Sequence, residues 1–231
     1  MATGRALAAL ANDYARARGV TVVIESVGGV DAARRIADGE PFDRVGLASE
    51  ASEARAGAHH VDADSLITIC ESAIAVAVAP GRPLPKLQTA DDVRRLIEAA
   101  PRVAYSTGPS GRFLLNLLAQ WGIAESIAPR LVQAPPGVGV GTLLARGDAD
   151  VGFQQASELV HVGGIGYAGE LPAEIQLRTA FCGAVCTAGT NRANAMEPLA
   201  WFASSESAAT LRNHGLIPIA ARGSGKRSRR C

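Results

Sequence analysis

The residues best suited to chemistry lie in Tyr105-Ser106-Thr107-Gly108-Pro109-Ser110-Gly111-Arg112-Phe113. An apolar run ending at Tyr105 feeds a turn of hydroxyls and glycines, and the turn feeds an amphipathic helix toward Trp121. A strand that opens into a helix in this way leaves backbone N–H groups unpaired and pointing one way. The helix dipole adds to their pull on an anion. The device recurs along the chain. Ser26-Val27-Gly28-Gly29 follows the β-branched run from Val20 to Glu25, and Gly137-Val138-Gly139-Val140-Gly141 leads into a helix around Leu143. Gln154 and Gln155 close the run from Asp150, and Thr3-Gly4 opens the first helix. Glycine lets backbone come close to a ligand, and hydroxyls add donors. One such loop is ordinary turn chemistry; several, each at a helix start, predict a convergent anion site. Arg112 stands in the first turn after Ser110 and Gly111, where its guanidinium either grips a carboxylate or phosphate or simply faces solvent.

Other chemistry is poorly supplied. Gly137 to Gly141 is neither G-x-G-x-x-G nor a P-loop, so no nucleotide is expected. His59-His60 has no third ligand at metal spacing, and no nucleophile elbow occurs. Glu25 and Glu71 end apolar runs, where a base is conceivable but a plain solvated strand end fits better. No catalytic residue, metal or cofactor is assigned. Cys182 and Cys186 share one β-like run, which holds them too far apart to pair with each other.

The elements that must position these loops alternate between helix and strand. Helices are expected over 4–18, from Ser26 to Ala37, from Ser49 to Ala56, and from the Thr89-Ala90-Asp91-Asp92 capping box to Ala100. Strands are expected over 20–25, 44–48, 66–71, 73–79, around Tyr105, 131–134, 150–155, 163–168 and 177–187. Such alternation implies α/β layers, with ligands beyond the carboxyl ends of the strands. At 231 residues, 48% hydrophobic and 19% charged, the chain buries a substantial core as one large domain or two small lobes. A net charge of +1 gives no general pull toward nucleic acid or a membrane surface. The local basic excess falls in 221–231, expected to be a disordered, solvated tail.

The order of these motifs carries a resemblance. Thr3-Gly4 opens a helix; Glu25-Ser26-Val27-Gly28-Gly29, Gly39-Glu40-Pro41-Phe42-Asp43 and the run Ser72 to Pro80 follow. Ser110-Gly111, Leu144-Ala145-Arg146-Gly147-Asp148-Ala149-Asp150-Val151-Gly152, Leu199-Ala200-Trp201-Phe202 and Asn213-His214-Gly215-Leu216 complete the series. The chain resembles the type-2 periplasmic-binding-protein superfamily, near the molybdate-binding proteins of ABC transporters. The resemblance implies two lobes, each a mainly parallel sheet flanked by helices, joined by two crossing strands and closing on a ligand in the cleft between them. On this chain, lobe one would be 1–79 with 187–220, and lobe two 80–186. Anion contacts would fall to Thr3, Gly4, Ser26, Gly28, Thr107, Ser110, Gly111, Gln154 and Gln155, with Arg112 nearby. The implied partners are a small anion and a membrane transporter, with no nucleic acid. Three departures sharpen this. The family's opening strand and export signal are not seen before Thr3, which leaves the place of work periplasmic if an export signal is missing from this start and cytoplasmic otherwise. The family's later-loop tyrosine is replaced by Phe153-Gln154. Together with Arg112, that makes a small organic carboxylate as apt as a metal oxyanion. The alternative is a cytoplasmic isomerase or tautomerase of a small carboxylic acid on the same fold.

Overall fold

A computed structural model describes residues 2–219; the basic stretch 221–231 lies outside the described residues. In chain order the elements begin with α1 (Gly4–Arg18), α2 (Gly29–Ala37), β1 (Arg44–Ala48), α3 (Ser49–Gly57) and β2 (Ile67–Val78). They continue with α4 (Ala90–Ala99), β3 (Val103–Tyr105), α5 (Pro109–Gln120), α6 (Ala124–Ile127) and β4 (Leu131–Gln133). Next come α7 (Val140–Arg146), β5 (Val151–Gln155), α8 (Ala156–Leu159), β6 (Gly166–Glu170) and β7 (Arg178–Val185). α9 (Met196–Phe202), α10 (Ala208–Asn213) and β8 (Ile217–Pro218) complete the series. Among the described residues two units emerge: one takes 2–72 with 179–219, and the other is the uninterrupted stretch Ala73–Arg178.

In the first unit, helical spacing puts Ala6, Leu10, Ala11 and Tyr14 on the buried face of α1. Gly19, at φ 71°, ends that helix by donating its N–H to the Ala15 carbonyl. The face packs with Ile69, Leu211, Trp201 and Phe202. The Tyr14 ring meets Trp201 and Phe202 edge to face, at 5.6 and 6.2 Å between centroids. The sheet runs β1–β7–β2, with β8 also paired to β2. β1 is antiparallel to β7, Arg44 opposite Val185, and β8 is antiparallel to β2.

In the second unit, β2 alternates large and small side chains. Ile74, Val76 and Val78 face a core with Val93, Ile97, Leu114, Leu118 and Phe153. Ala75 and Ala77 face Ala104, Val140, Leu144 and Leu159. Both faces of the sheet are thus covered by helices, as continuous apolar strands require. β5, β3 and β4 are parallel to one another, whereas β2 is antiparallel to both β5 and β6.

The α/β class with flanking helices holds, but the pairing is mixed: β4–β3–β5 are parallel, while β2 is antiparallel to β5, β6 and β8, and β1 to β7. β2 does not reach its neighbours through a crossover helix within the unit, so the rule that makes crossovers parallel does not bind it. Two expected elements differ. The strands at 66–71 and 73–79 are the single strand β2, because no turn residue interrupts the run at Ser72. The expected strand at 20–25 does not form. β-branched residues favour extended backbone, but a strand also needs a ladder partner, and this segment has none among the described residues. Val22 and Ile24 still pack on the first unit's core, while Val23 is 88% exposed.

Candidate functional site

In the second unit three parallel strands share one register, with Tyr105 beside both Gln133 and Phe153. Their carboxyl ends therefore lie along one sheet edge, where ligands of α/β proteins gather. The loop from Ser106, the loop from Ala134 and the pair Gln154-Gln155 all leave that edge. The structure thus brings Thr107, Ser110, Gly111, Arg112, Gln154 and Gln155 to one side of this unit.

Ser106, which spacing alone did not single out, organises the first of these loops. Its Oγ lies 2.9 Å from the Ser110 Oγ and accepts the Gly108 N–H at 3.3 Å. Its carbonyl lies against Gly111 so closely that a Cβ there would sit 1.7 Å from the oxygen. Gly111 is therefore a requirement of close approach rather than a hinge. Ser110 is buried beneath the helix start, and Thr107 and Arg112 are exposed.

Gln154 is buried, and its Oε1 accepts the Val140 N–H at 2.8 Å. The start of α7 is thus occupied by a neutral side-chain oxygen from β5, so the Gly137–Gly141 loop does not present its first helical N–H to a ligand. The Gln154 side chain also bonds to Glu158 of α8, the short helix that follows β5. Burial pushes the Glu158 carboxyl above the ordinary carboxylate range, against the opposing effect of that bond. Glu158 was not among the expected residues, because its contact joins the end of β5 to the helix that follows, which no single-element periodicity marks.

In the first unit Thr3 is the N-cap of α1 and Gly28 the N-cap of α2, and neither makes a side-chain capping bond. Gly4 and Ser26 touch: a Cβ on Gly4 would fall 2.1 Å from the Ser26 Oγ. Thr3, Gly4 and Ser26 thus form one cluster, and Gly28 opens the helix just after it. A void of about 10 Å³ under α1, lined by Ala6, Leu7, Ile69 and Phe181 among others, is apolar and no larger than a water. His59 and His60 follow α3, and among the described residues no group of three or more His, Cys, Asp or Glu is placed to hold a metal.

The helix starts differ in a telling way. α4 is capped from within: the Thr89 side chain accepts the Asp92 N–H, the Asp92 carboxylate accepts back, and Asp91 adds a second acid. α1 and α5 have no side-chain cap and no acidic residue in the first turn. Acids normally collect there because the dipole favours them, so these two helices keep their positive ends unneutralised by their own residues.

Comparison with known proteins places the chain. The family model for bacterial extracellular solute-binding proteins matches residues 1–217. An aconitate isomerase from Pseudomonas sp. is 34% identical over 190 residues, covering 81% of this chain and 71% of that protein. Among solved structures, the periplasmic molybdate-binding protein of Azotobacter vinelandii superposes with a TM-score of 0.78 at 19% identity, over 93% of this chain and 95% of its own. Peb3 from Campylobacter jejuni gives 0.71 at 15%, over 94% and 96%. The fold is that of the two-lobed, type-2 periplasmic binding proteins, and the chain belongs to the bacterial extracellular solute-binding protein family.

Proposed function

We propose that the chain binds a small organic anion carrying carboxylate groups, as the solute-binding component of a membrane transporter. The contrast in helix capping carries this reading. α4 neutralises its own start, while α1 and α5, at the two clusters of small polar residues, do not. Candidate donors lie in both units: Thr3, Gly4, Ser26 and Gly28 in the first, and Thr107, Ser110, Gly111 and Arg112 in the second. An uncapped helix start satisfies a carboxylate through backbone N–H groups, and a guanidinium in the first turn of α5 adds a fork matched to its two oxygens. The 34% identical relative named for aconitate supports a carboxylate over a metal oxyanion. No helix among the described residues is long and apolar enough to cross a membrane. Membership of the extracellular solute-binding family supports a transporter partner and a periplasmic place of work. Calorimetric titration with aconitate, citrate and molybdate tests the reading. Saturable heat with a carboxylate is expected, and no heat with any of the three, in protein shown to be folded, would sink it.

A second reading is favoured by the same relative, whose name is that of an isomerase, and by Glu158. Removing a proton beside a carboxylate and returning it to another carbon isomerises an unsaturated acid. The backbone donors stabilise the charge that develops in between. In this reading Glu158 accepts the proton and gives it back, so activity rises with pH through a value above the ordinary carboxylate range. Incubation with aconitate and chromatography of its isomers is the test. Glu158→Gln should abolish conversion while aconitate still binds; undiminished conversion by that variant would remove Glu158 from the reaction.

A further inference from the structure

The segment between α1 and α2 carries Ser26 into the first cluster, yet it forms no strand. What holds it is side-chain contact. Val22 and Ile24 rest on the core, and Glu25, the residue before Ser26, is gripped by Arg35 of α2. The Arg35 Nη1 reaches the Glu25 Oε1 at 2.6 Å, and its Nη2 reaches Oε2 at 3.3 Å. The other side of the same guanidinium is engaged by Glu40: Nε donates to both carboxylate oxygens at 2.9 and 2.8 Å, and Nη2 lies 2.6 Å from Oε2. The guanidinium carbon stands 4.7 Å from the ring centre of Phe42, which packs on the first unit's second core cluster with Ile36, Val61 and Cys186. Arg35 is the least exposed member of the trio, at 21% against 38% for Glu40 and 54% for Glu25.

The ordering of exposures gives the arrangement a direction. Glu40 and Phe42 fix the guanidinium against the body of the unit, and the remaining edge of its planar fork is presented to Glu25. A fork held this way resists rotation better than a single ammonium would. Single exposed ion pairs contribute little to stability, so a pair of this kind is better suited to fixing a place than to holding the fold together.

We infer that Arg35 is a positioning residue: through Glu25 it sets where Ser26 stands against the start of α1. The inference rests on the binding reading above. It is tested with a double-mutant cycle on the full chain, using aconitate and molybdate as probes. Glu25→Gln and Ser26→Ala should each weaken the bound probe by about tenfold, with thermal midpoints close to the parent's, and the double variant should be no weaker than either single one. Glu40→Gln should show the intermediate loss expected of a loosened anchor, and Arg35→Lys should not restore the parent affinity. Amide exchange over 23–28 should quicken in Glu25→Gln without ligand. Parent-like binding by Glu25→Gln, or losses that simply add in the double variant, would overturn the inference. If the parent bound neither probe, the binding reading would fall by itself. The positioning role would then be decided by exchange, with an unchanged rate over 23–28 counting against it.

Discussion

Gly111 shows how much one missing methyl group can matter. The position of its absent Cβ falls on the Ser106 carbonyl, which is backbone and cannot swing aside. Gly111→Ala must therefore push the start of α5 away from the end of β3. We expect a cost of about 1–3 kcal/mol in urea unfolding and loss of anion binding. A variant that unfolds and binds like the parent would mean that Ser106 and Gly111 separate freely. His59 is the reverse case. It closes α3 with φ 59°, the left-handed conformation that glycine adopts without penalty, and it is the described non-glycine residue with positive φ. His59→Gly should raise the unfolding free energy by about 0.5–1 kcal/mol. An unchanged or lower urea midpoint would show that its side chain is worth more than the strain. The Ser110-Gly111 opening was legible because hydroxyl, glycine and helix lie within a few residues of one another. The Gln154–Val140 bond was not, because it joins positions 14 apart through the meeting of a strand end with a different helix.

At the scale of elements, α4 is written plainly in its own residues. Thr89 and Asp92 make the expected reciprocal cap, and Asp92 also receives Arg95 at 2.6 Å. The Arg95 guanidinium, followed by the Thr89 hydroxyl and backbone, holds the Asp92 carboxyl below the usual carboxylate range, although its partial burial works the other way. The folded value thus lies under the unfolded one. The stabilisation is complete above the unfolded value and disappears as pH falls through the folded value. The thermal midpoint of the parent should therefore drop more steeply than that of Asp92→Asn below about pH 4. Parallel curves would show that Asp92 titrates alike in both states. The segment 20–25 illustrates the opposite condition. Its β-branched residues signal a strand, but strand formation depends on a neighbour that no local pattern supplies, and it is tethered instead through Glu25 and the Arg35 fork. Helices with caps are readable from sequence because their hydrogen bonds close within the element; pairing partners and their direction are not.

For the whole molecule, the α/β class and the family were legible from the order of small motifs, whereas the mixed pairing was not. The second unit is one uninterrupted stretch with helices against both faces of its sheet, while the first is assembled from both ends of the chain. Expressed alone, 73–178 should unfold cooperatively in urea, and Trp121 reports on it without interference from Trp201, which belongs to the other unit. A broad, non-cooperative decay would mean that this stretch depends on the rest of the chain. The aromatic contact between Tyr14 and Trp201 carries a consequence in time rather than in space. A ribosome releases the apolar stripe of α1 well before its aromatic partners, which lie far along the chain. At about 5–20 residues per second the interval is about ten to forty seconds. During that interval the middle of the chain can finish folding while Leu10 and Tyr14 stay bare. The nascent polypeptide is then a finished insert flanked by an unfinished shell, and a chaperone that shelters α1 would be keeping an appointment open for Trp201 and Phe202.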